Sequence, residues 1–195
     1  MREIQVLEDR EIIRRCQLGQ THLLDLLIDR HSVDLYSLCK KLTRGGPDAD
    51  DLFQDTWVNV MKGLGSYTGE HAFKAWLFRI CLNRYRDLYR RRLRWWRLVS
   101  RLPHRGHEEE EMAVAESPAP DPEQGAISHE RAKAVREAID QLEDTFRLPI
   151  LLHYFQGLSM VEIGEALGIP AGTVKSRLSA GREKLKVAME DAGHG

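Results

Sequence analysis

Leu158-Ser159-Met160-Val161-Glu162-Ile163-Gly164-Glu165-Ala166-Leu167-Gly168-Ile169-Pro170-Ala171-Gly172-Thr173-Val174-Lys175-Ser176-Arg177-Leu178 reads as two short helices about a tight turn. Ser159 and Glu162 stand at capping-box spacing. Ile163, Leu167, Val174 and Leu178 fall on facing sides, and Gly168 permits the turn that sets the helices nearly perpendicular. The second helix then projects Thr173, Lys175, Ser176, Ser179 and Arg182. This is the layout of a helix-turn-helix whose second helix enters the major groove. Lysine and arginine neutralise phosphates and reach guanine; serine and threonine donate to phosphates or base edges. A helical hairpin with a solvated basic face is the plainer alternative.

Upstream, Ala134, Val135, Ala138, Ile139 and Leu142 mark one more helix, and Ile150, Leu151, Tyr154 and Phe155 another. Asp144 is the expected N-cap of the latter. Pro149 lies inside it, which predicts a kink or a late start. Before these helices, residues 103–128 hold four prolines and the run Glu108–Glu111. That composition cannot bury enough apolar surface to offset ordering entropy and predicts a flexible linker. The fold class expected is all-α: two small helical domains, 1–97 and 129–195, joined by an acidic linker, 98–128.

In the N-terminal part, apolar positions recur at helical period from Ile12 to Ile28, with a break at Gly19, and continue to Leu42. Gly45-Gly46-Pro47 ends that element, and Asp48 is the expected N-cap of the next. That helix should place Leu52, Phe53, Trp57, Val60 and Met61 inside and Asp50, Asp51, Gln54 and Asp55 outside. A glycine-containing loop, 63–69, precedes a long helix from about His71 to Arg92 or beyond. Phe73, Leu77, Ile80, Cys81 and Arg84 share one side of it; arginines and aromatics share the rest. Such a surface suits unpaired bases, since arginines neutralise phosphates and exposed aromatics offer stacking platforms. For each aromatic singly, core packing and base contact remain equal readings, Trp76 and Phe78 included.

The chain's 29 basic and 30 acidic residues nearly cancel, which read as a total argues against a nucleic-acid binder. Their distribution argues the reverse. Residues 74–105 carry eleven basic groups against one acidic, and residues 106–130 eight acidic and none basic. Charge sorted this way predicts basic surfaces separated by an acidic tether. No apolar run approaches a membrane span, and residues 1–10 lack a signal peptide's apolar core. Cys16, Cys39 and Cys81 form no CxxC pair, so they read as packed thiols in a reducing cytoplasm. No HExxH, GxGxxG or GxxxxGK[ST] occurs. His22, His31, His71 and His153 read as fillers, and no metal or cofactor is expected.

Three segments in this order resemble the bacterial sigma-70 family, in its extracytoplasmic-function (ECF, group 4) branch. Asp50-Asp51-Leu52-Phe53-Gln54-Asp55-Thr56-Trp57 is similar to the acidic region 2.2 helix. Ala72-Phe73-Lys74-Ala75-Trp76-Leu77-Phe78-Arg79-Ile80-Cys81-Leu82-Asn83 is similar to regions 2.3 to 2.4, and Gly172-Thr173-Val174-Lys175-Ser176-Arg177-Leu178 to region 4.2. The resemblance implies a sigma factor that binds core RNA polymerase and directs promoter-specific initiation. Asp50, Asp51, Gln54, Asp55 and Trp57 would dock on the β′ clamp helices. Ser66, Tyr67, His71, Phe73, Lys74, Trp76, Arg79, Asn83, Arg84 and Arg86 would bind and melt the −10 element, the Gly65–His71 loop capturing a flipped base. Thr173, Lys175, Ser176, Arg177, Ser179 and Arg182 would bind the −35 element while their domain rests on the β flap. The resemblance also implies an anti-sigma factor partner, a linker near the RNA-exit path, and a cytoplasmic, nucleoid-associated protein that is not an enzyme.

Two positions depart from the family pattern. Ala180 stands where an arginine is common, followed by Gly181, which weakens an isolated helix by about 1 kcal/mol relative to alanine. Glu143 stands where a proline is frequent. Two rivals are kept: a stand-alone helix-turn-helix regulator of duplex DNA, and a metal-dependent nuclease using Asp50, Asp51 and Asp55.

Overall fold

A computed structural model describes the backbone over residues 7–99 and 125–191 and the side chains over 7–94 and 132–190. All regular elements among the described residues are helices, and the chain divides into two compact units, 1–114 and 115–195. The central part of the expected linker, 100–124, lies outside the described residues, as do the side chains of Trp95, Trp96 and Arg97. The edges, 98–99 and 125–128, belong to helices.

The N-terminal unit holds α1 (Asp9–Gln17), α2 (Leu24–Leu42), α3 (Asp48–Gly63) and α4 (Phe73–Val99). Gly19 separates α1 from α2 with φ +96, a conformation that costs glycine nothing. α2 buries Leu27, His31, Leu35, Leu38, Cys39 and Leu42, a stripe of helical period. Against it pack Ile12, Ile13 and Cys16 of α1, Leu52, Trp57 and Val60 of α3, and Phe73, Leu77, Phe78, Cys81 and Leu82 of α4. The Cys39 and Cys81 thiols meet at 3.7 Å in this core. The hydrogen bond between them, with burial, pushes the Cys39 thiol far above its ordinary range, so it packs as an apolar group.

Two details of this unit differ from expectation. Asp48 is the first residue of α3 rather than its N-cap. Pro47 takes the cap position with an already helical φ of −61, and Arg92 holds the Asp48 carboxylate at 2.6 Å. Met61 is 52% exposed, because the buried stripe of α3 runs through Ala49, Leu52, Thr56 and Val60. Thr56 is tolerated in that stripe because its hydroxyl donates to the Leu52 carbonyl at 2.7 Å.

The C-terminal unit holds α5 (Gly125–Gln141), α6 (Asp144–Ile150), α7 (Met160–Leu167) and α8 (Ala171–Asp191). Its core joins Ile139, Leu148, Ile150, Leu151 and Leu152 to Ile163, Val174 and Leu178. Glu143, not Asp144, caps α6: its backbone is extended and its carbonyl accepts the Phe146 and Arg147 N–H groups. Asp144 turns instead to Arg147. α6 does not start late at Pro149 but runs through it. The ring removes one helical donor, and the chain then widens into a π turn over Leu151–Phe155.

Ser159 and Glu162 form the capping box, and Gly168 closes α7 in the left-handed conformation at φ +70. Two other glycines are set by close approach. A Cβ on Gly181 would stand 2.7 Å from Ile150 Cδ1, so this glycine lets α8 lie against α6. A Cβ on Gly164 would stand 2.7 Å from the Ile169 carbonyl oxygen. Gly164→Ala is therefore expected to destabilise the C-terminal unit by about 1–3 kcal/mol despite alanine's better helix propensity. Thermal unfolding checks this: the midpoint should fall by about 4 °C or more, and an unchanged or raised midpoint would show that the turn accommodates a side chain.

Candidate nucleic-acid interface

The outer face of α3 is acidic but not uniformly available. Asp51 and Gln54 are exposed. Asp50 is exposed too and accepts a hydrogen bond from the Tyr36 hydroxyl at 2.8 Å, which raises the Tyr36 pKa. Asp55 meets Arg84 of α4 at 2.6 Å, with both side chains partly exposed. Trp57 is only 6% exposed. Asp48–Arg92 and Asp55–Arg84 thus pin α4 to α3 at two points, two turns apart on each antiparallel helix. Of the residues the sequence grouped with Asp51 as a docking face, Trp57 is buried in the fold and Asp55, still partly exposed, also pairs with Arg84. Arg84, grouped with the DNA contacts, is the partner of Asp55. Among the described residues no three acidic, histidine or cysteine side chains converge as metal ligands.

The segment joining α3 to α4 is built around Tyr67. Its hydroxyl donates to the His71 carbonyl, and its own carbonyl accepts from Gln17 Nε2 at 2.9 Å. The same Gln17 nitrogen donates to the Leu64 carbonyl at 2.9 Å, and Ser66 Oγ to the Gly63 carbonyl at 2.8 Å. The Tyr67 ring lies 5.0 Å from Trp76 and 6.1 Å from Phe73, with Phe73 and Trp76 5.8 Å apart. These are edge and tilted arrangements favoured by aromatic quadrupoles. Phe73 and Phe78 are core residues, 4% and 0% exposed, whereas Trp76 and Tyr67 keep part of their rings at the surface. Ser66 and His71 are exposed on the loop.

Behind Phe73 lies His31, its ring 5.2 Å away, with Nε2 2.8 Å from Asp9 Oδ2. Arg30 pairs with the other Asp9 oxygen. Burial alone would raise the Asp9 pKa, but the hydrogen bonds from His31 and Arg30 and their charges outweigh it and hold it below the ordinary value. Gln17, His31 and Asp9 were not among the sequence candidates. No local pattern could have marked them, since Gln17 reaches 47 and 50 residues along the chain.

Along α4, Arg79, Asn83 and Arg86 recur at helical spacing as a polar stripe, Arg79 and Asn83 exposed and Arg86 half-buried. Arg86 reaches Asn83 Oδ1 at 3.3 Å. Lys74 is tied to Asp34 at 2.7 Å. In the other unit, Lys175, Ser176, Ser179 and Arg182 are exposed on α8, while Thr173 and Arg177 are half-buried. Ser176 Oγ donates back to the Thr173 carbonyl at 2.9 Å. Gly172 leaves the start of this helix open, with nothing within 4 Å of a Cβ placed there.

An acidic helix beside an aromatic and cationic one in the first unit, and a helix-turn-helix with a basic second helix in the second, are the features of a DNA-binding protein. The comparisons agree. Residues 27–97 match the family Sigma-70 region 2, and residues 132–185 match Sigma-70, region 4. The chain is 31% identical over 183 residues to the RNA polymerase sigma factor CnrH of Cupriavidus metallidurans, covering 93% of this chain and 94% of CnrH. It is 29% identical over 180 residues to the ECF RNA polymerase sigma factor SigW of Bacillus subtilis, covering 92% and 95%. The solved structure of CnrH in complex with the cytosolic domain of CnrY superposes with a TM-score of 0.67 at 25% identity, over 94% of this chain and 97% of that one. The chain belongs to the sigma-70 family, in its ECF branch. As a sigma factor it binds core RNA polymerase and promoter DNA and directs promoter-specific transcription initiation.

Proposed function

We propose a division of labour among the named residues. Asp50, Asp51 and Gln54 form the polymerase-docking face. Ser66, Tyr67, His71, Trp76, Arg79, Asn83 and Arg86 meet the −10 strand, with Phe73, Lys74 and Arg84 holding that surface in shape. Lys175, Ser176, Ser179 and Arg182, flanked by Thr173 and Arg177, meet the −35 duplex. The domains carrying these roles are 1–97 and 129–195. The observation that supports this reading is the coexistence of an exposed polar face at Asp50, Asp51 and Gln54 with the cationic stripe of α4, two surfaces that a stand-alone regulator of duplex DNA does not require.

Run-off transcription with core polymerase on fragments of genomic DNA tests the reading. Discrete transcripts that require this chain support it and report both promoter elements. Failure to bind core polymerase in pull-down, with duplex DNA binding retained, would favour the stand-alone regulator. Metal-dependent cleavage of DNA by the chain alone would favour the nuclease. Lys175→Ala is expected to weaken −35 duplex binding and flatten its logarithmic salt dependence by about 0.9, one phosphate's worth. An unchanged slope removes that contact.

The solved CnrH structure holds the cytosolic domain of CnrY. By that analogy the chain has an anti-sigma factor partner, whose binding to the purified chain should compete with core polymerase. No described helix is long and apolar enough to cross a membrane, and a cytoplasmic factor, acting without catalysis of its own, follows from the same reading.

A further inference from the structure

The loop between α3 and α4 borders two clefts. One, of about 540 Å³, reaches toward His71 and Phe73; the other, of about 390 Å³, toward Arg14 and Gln17. Glu8, Arg10, Tyr67 and Gly69 line both, so they form the ridge between them. Each cleft alone exceeds the roughly 300 Å³ at which pockets begin to enclose small ligands.

Arg10 is the distinctive member of that ridge. Arg14 and Arg15 pair with Glu11, and Arg30 pairs with Asp9. Arg10 is exposed and makes no ion pair or hydrogen bond among the described residues. Its guanidinium lies over Gly69: a Cβ there would be 3.4 Å from Nε. Gly69, at φ +76, allows the loop to pass beneath. Beside it Tyr67 is held from three sides, by Gln17 at its backbone, by the His71 carbonyl at its hydroxyl, and by the Trp76 and Phe73 rings packed against its own. A fixed aromatic ring next to an unpaired cation is the combination that binds unstacked nucleotides. Arg10 also precedes residue 27, where the family match begins.

We infer that the ridge seats two consecutive unstacked nucleotides of single-stranded DNA, one in each cleft, with the Arg10 guanidinium on the phosphate that joins them. This rests on the reading of the 65–71 loop as a base-receiving site; it adds a second seat and the residue that divides the two.

The test uses holoenzyme and a forked promoter probe whose non-template −10 strand is single-stranded. Abasic substitutions are placed at one position at a time, and each linkage in turn is made a neutral methylphosphonate. Two adjacent abasic positions are expected to weaken binding about tenfold each, as loss of a stacked base does. Neutralising the linkage between them should weaken binding by the native chain several-fold and leave Arg10→Ala unaffected, because the variant has already lost that contact. Arg10→Ala should also make the salt dependence shallower by about 0.7 and leave the thermal midpoint unchanged. One sensitive position alone overturns the second seat and leaves the base-receiving loop standing. No sensitive position overturns the loop reading and this inference with it. Two sensitive positions with equal methylphosphonate losses in the native chain and Arg10→Ala overturn the assignment of Arg10.

Discussion

Asp51→Arg is expected to weaken binding to core RNA polymerase by about a hundredfold while leaving thermal unfolding and −35 duplex binding unchanged. The reason is its position. Asp51 stands exposed on α3 beside Asp50 and Gln54, so the reversal places a cation where a basic partner helix must approach. Like-charge juxtaposition at an interface is among the costlier errors in recognition. The contrast with its neighbours sharpens the expectation. Trp57→Ala removes a side chain only 6% exposed and should destabilise the N-terminal unit by about 3–5 kcal/mol. Its loss of polymerase binding would then accompany unfolding. Quantitative pull-down and thermal unfolding, measured together, separate the two. Full polymerase affinity in Asp51→Arg would mean that this face is not the docking surface.

The second large effect is expected at Arg147. It is 1% exposed, the largest fully buried side chain described, and it joins α5 to α6 through Asp140 at 3.1 Å and Asp144 at 3.4 Å. Removing one partner of a buried pair costs about 3–5 kcal/mol. The carboxylates are 40% and 43% exposed and recover some hydration, which places Arg147→Ala near the lower figure. A unit of this size has a total stability of only several kcal/mol, so Arg147→Ala should leave a substantial fraction unfolded and lose −35 binding. Arg147→Met, which keeps volume and drops the charge, should recover part of the loss. Circular dichroism melting of both variants decides; Arg147→Ala as stable as the native chain would show that neighbouring groups refill the site.

The helix-turn-helix was legible because its determinants are local. A capping box four residues long, a left-handed glycine and four apolar residues at helical spacing do not depend on distant chain. The exposed polar stripe of α8 was legible for the same reason. The acidic face of α3 was legible only in part. Asp51, Asp55 and Trp57 look alike as members of one motif, yet Asp55 pairs with Arg84, 29 residues away, while Asp51 has no such partner among the described residues and Trp57 is buried. The surroundings of Gly181 were not legible. As a helix residue it is a weak choice, but in the fold it is the space that Ile150 occupies. Arg147 carried no signal at all, since nothing in its neighbours announces that a cation will be buried there.

The sequence by itself determined two helical domains, their order and the helix-turn-helix, which follow from periodicity, caps and charge segregation acting within a few turns of chain; the family came from the resemblance of three motifs. Only the tertiary structure decided which charged residues are free to meet a partner and which are committed inside. An ion pair or a close helix contact brings together groups tens of residues apart, and their competition for one another is settled by packing. Among the described residues, Asp51 and Arg10 were left unpaired by that packing; Asp55 and Arg84 were set against each other, and Arg147 was buried.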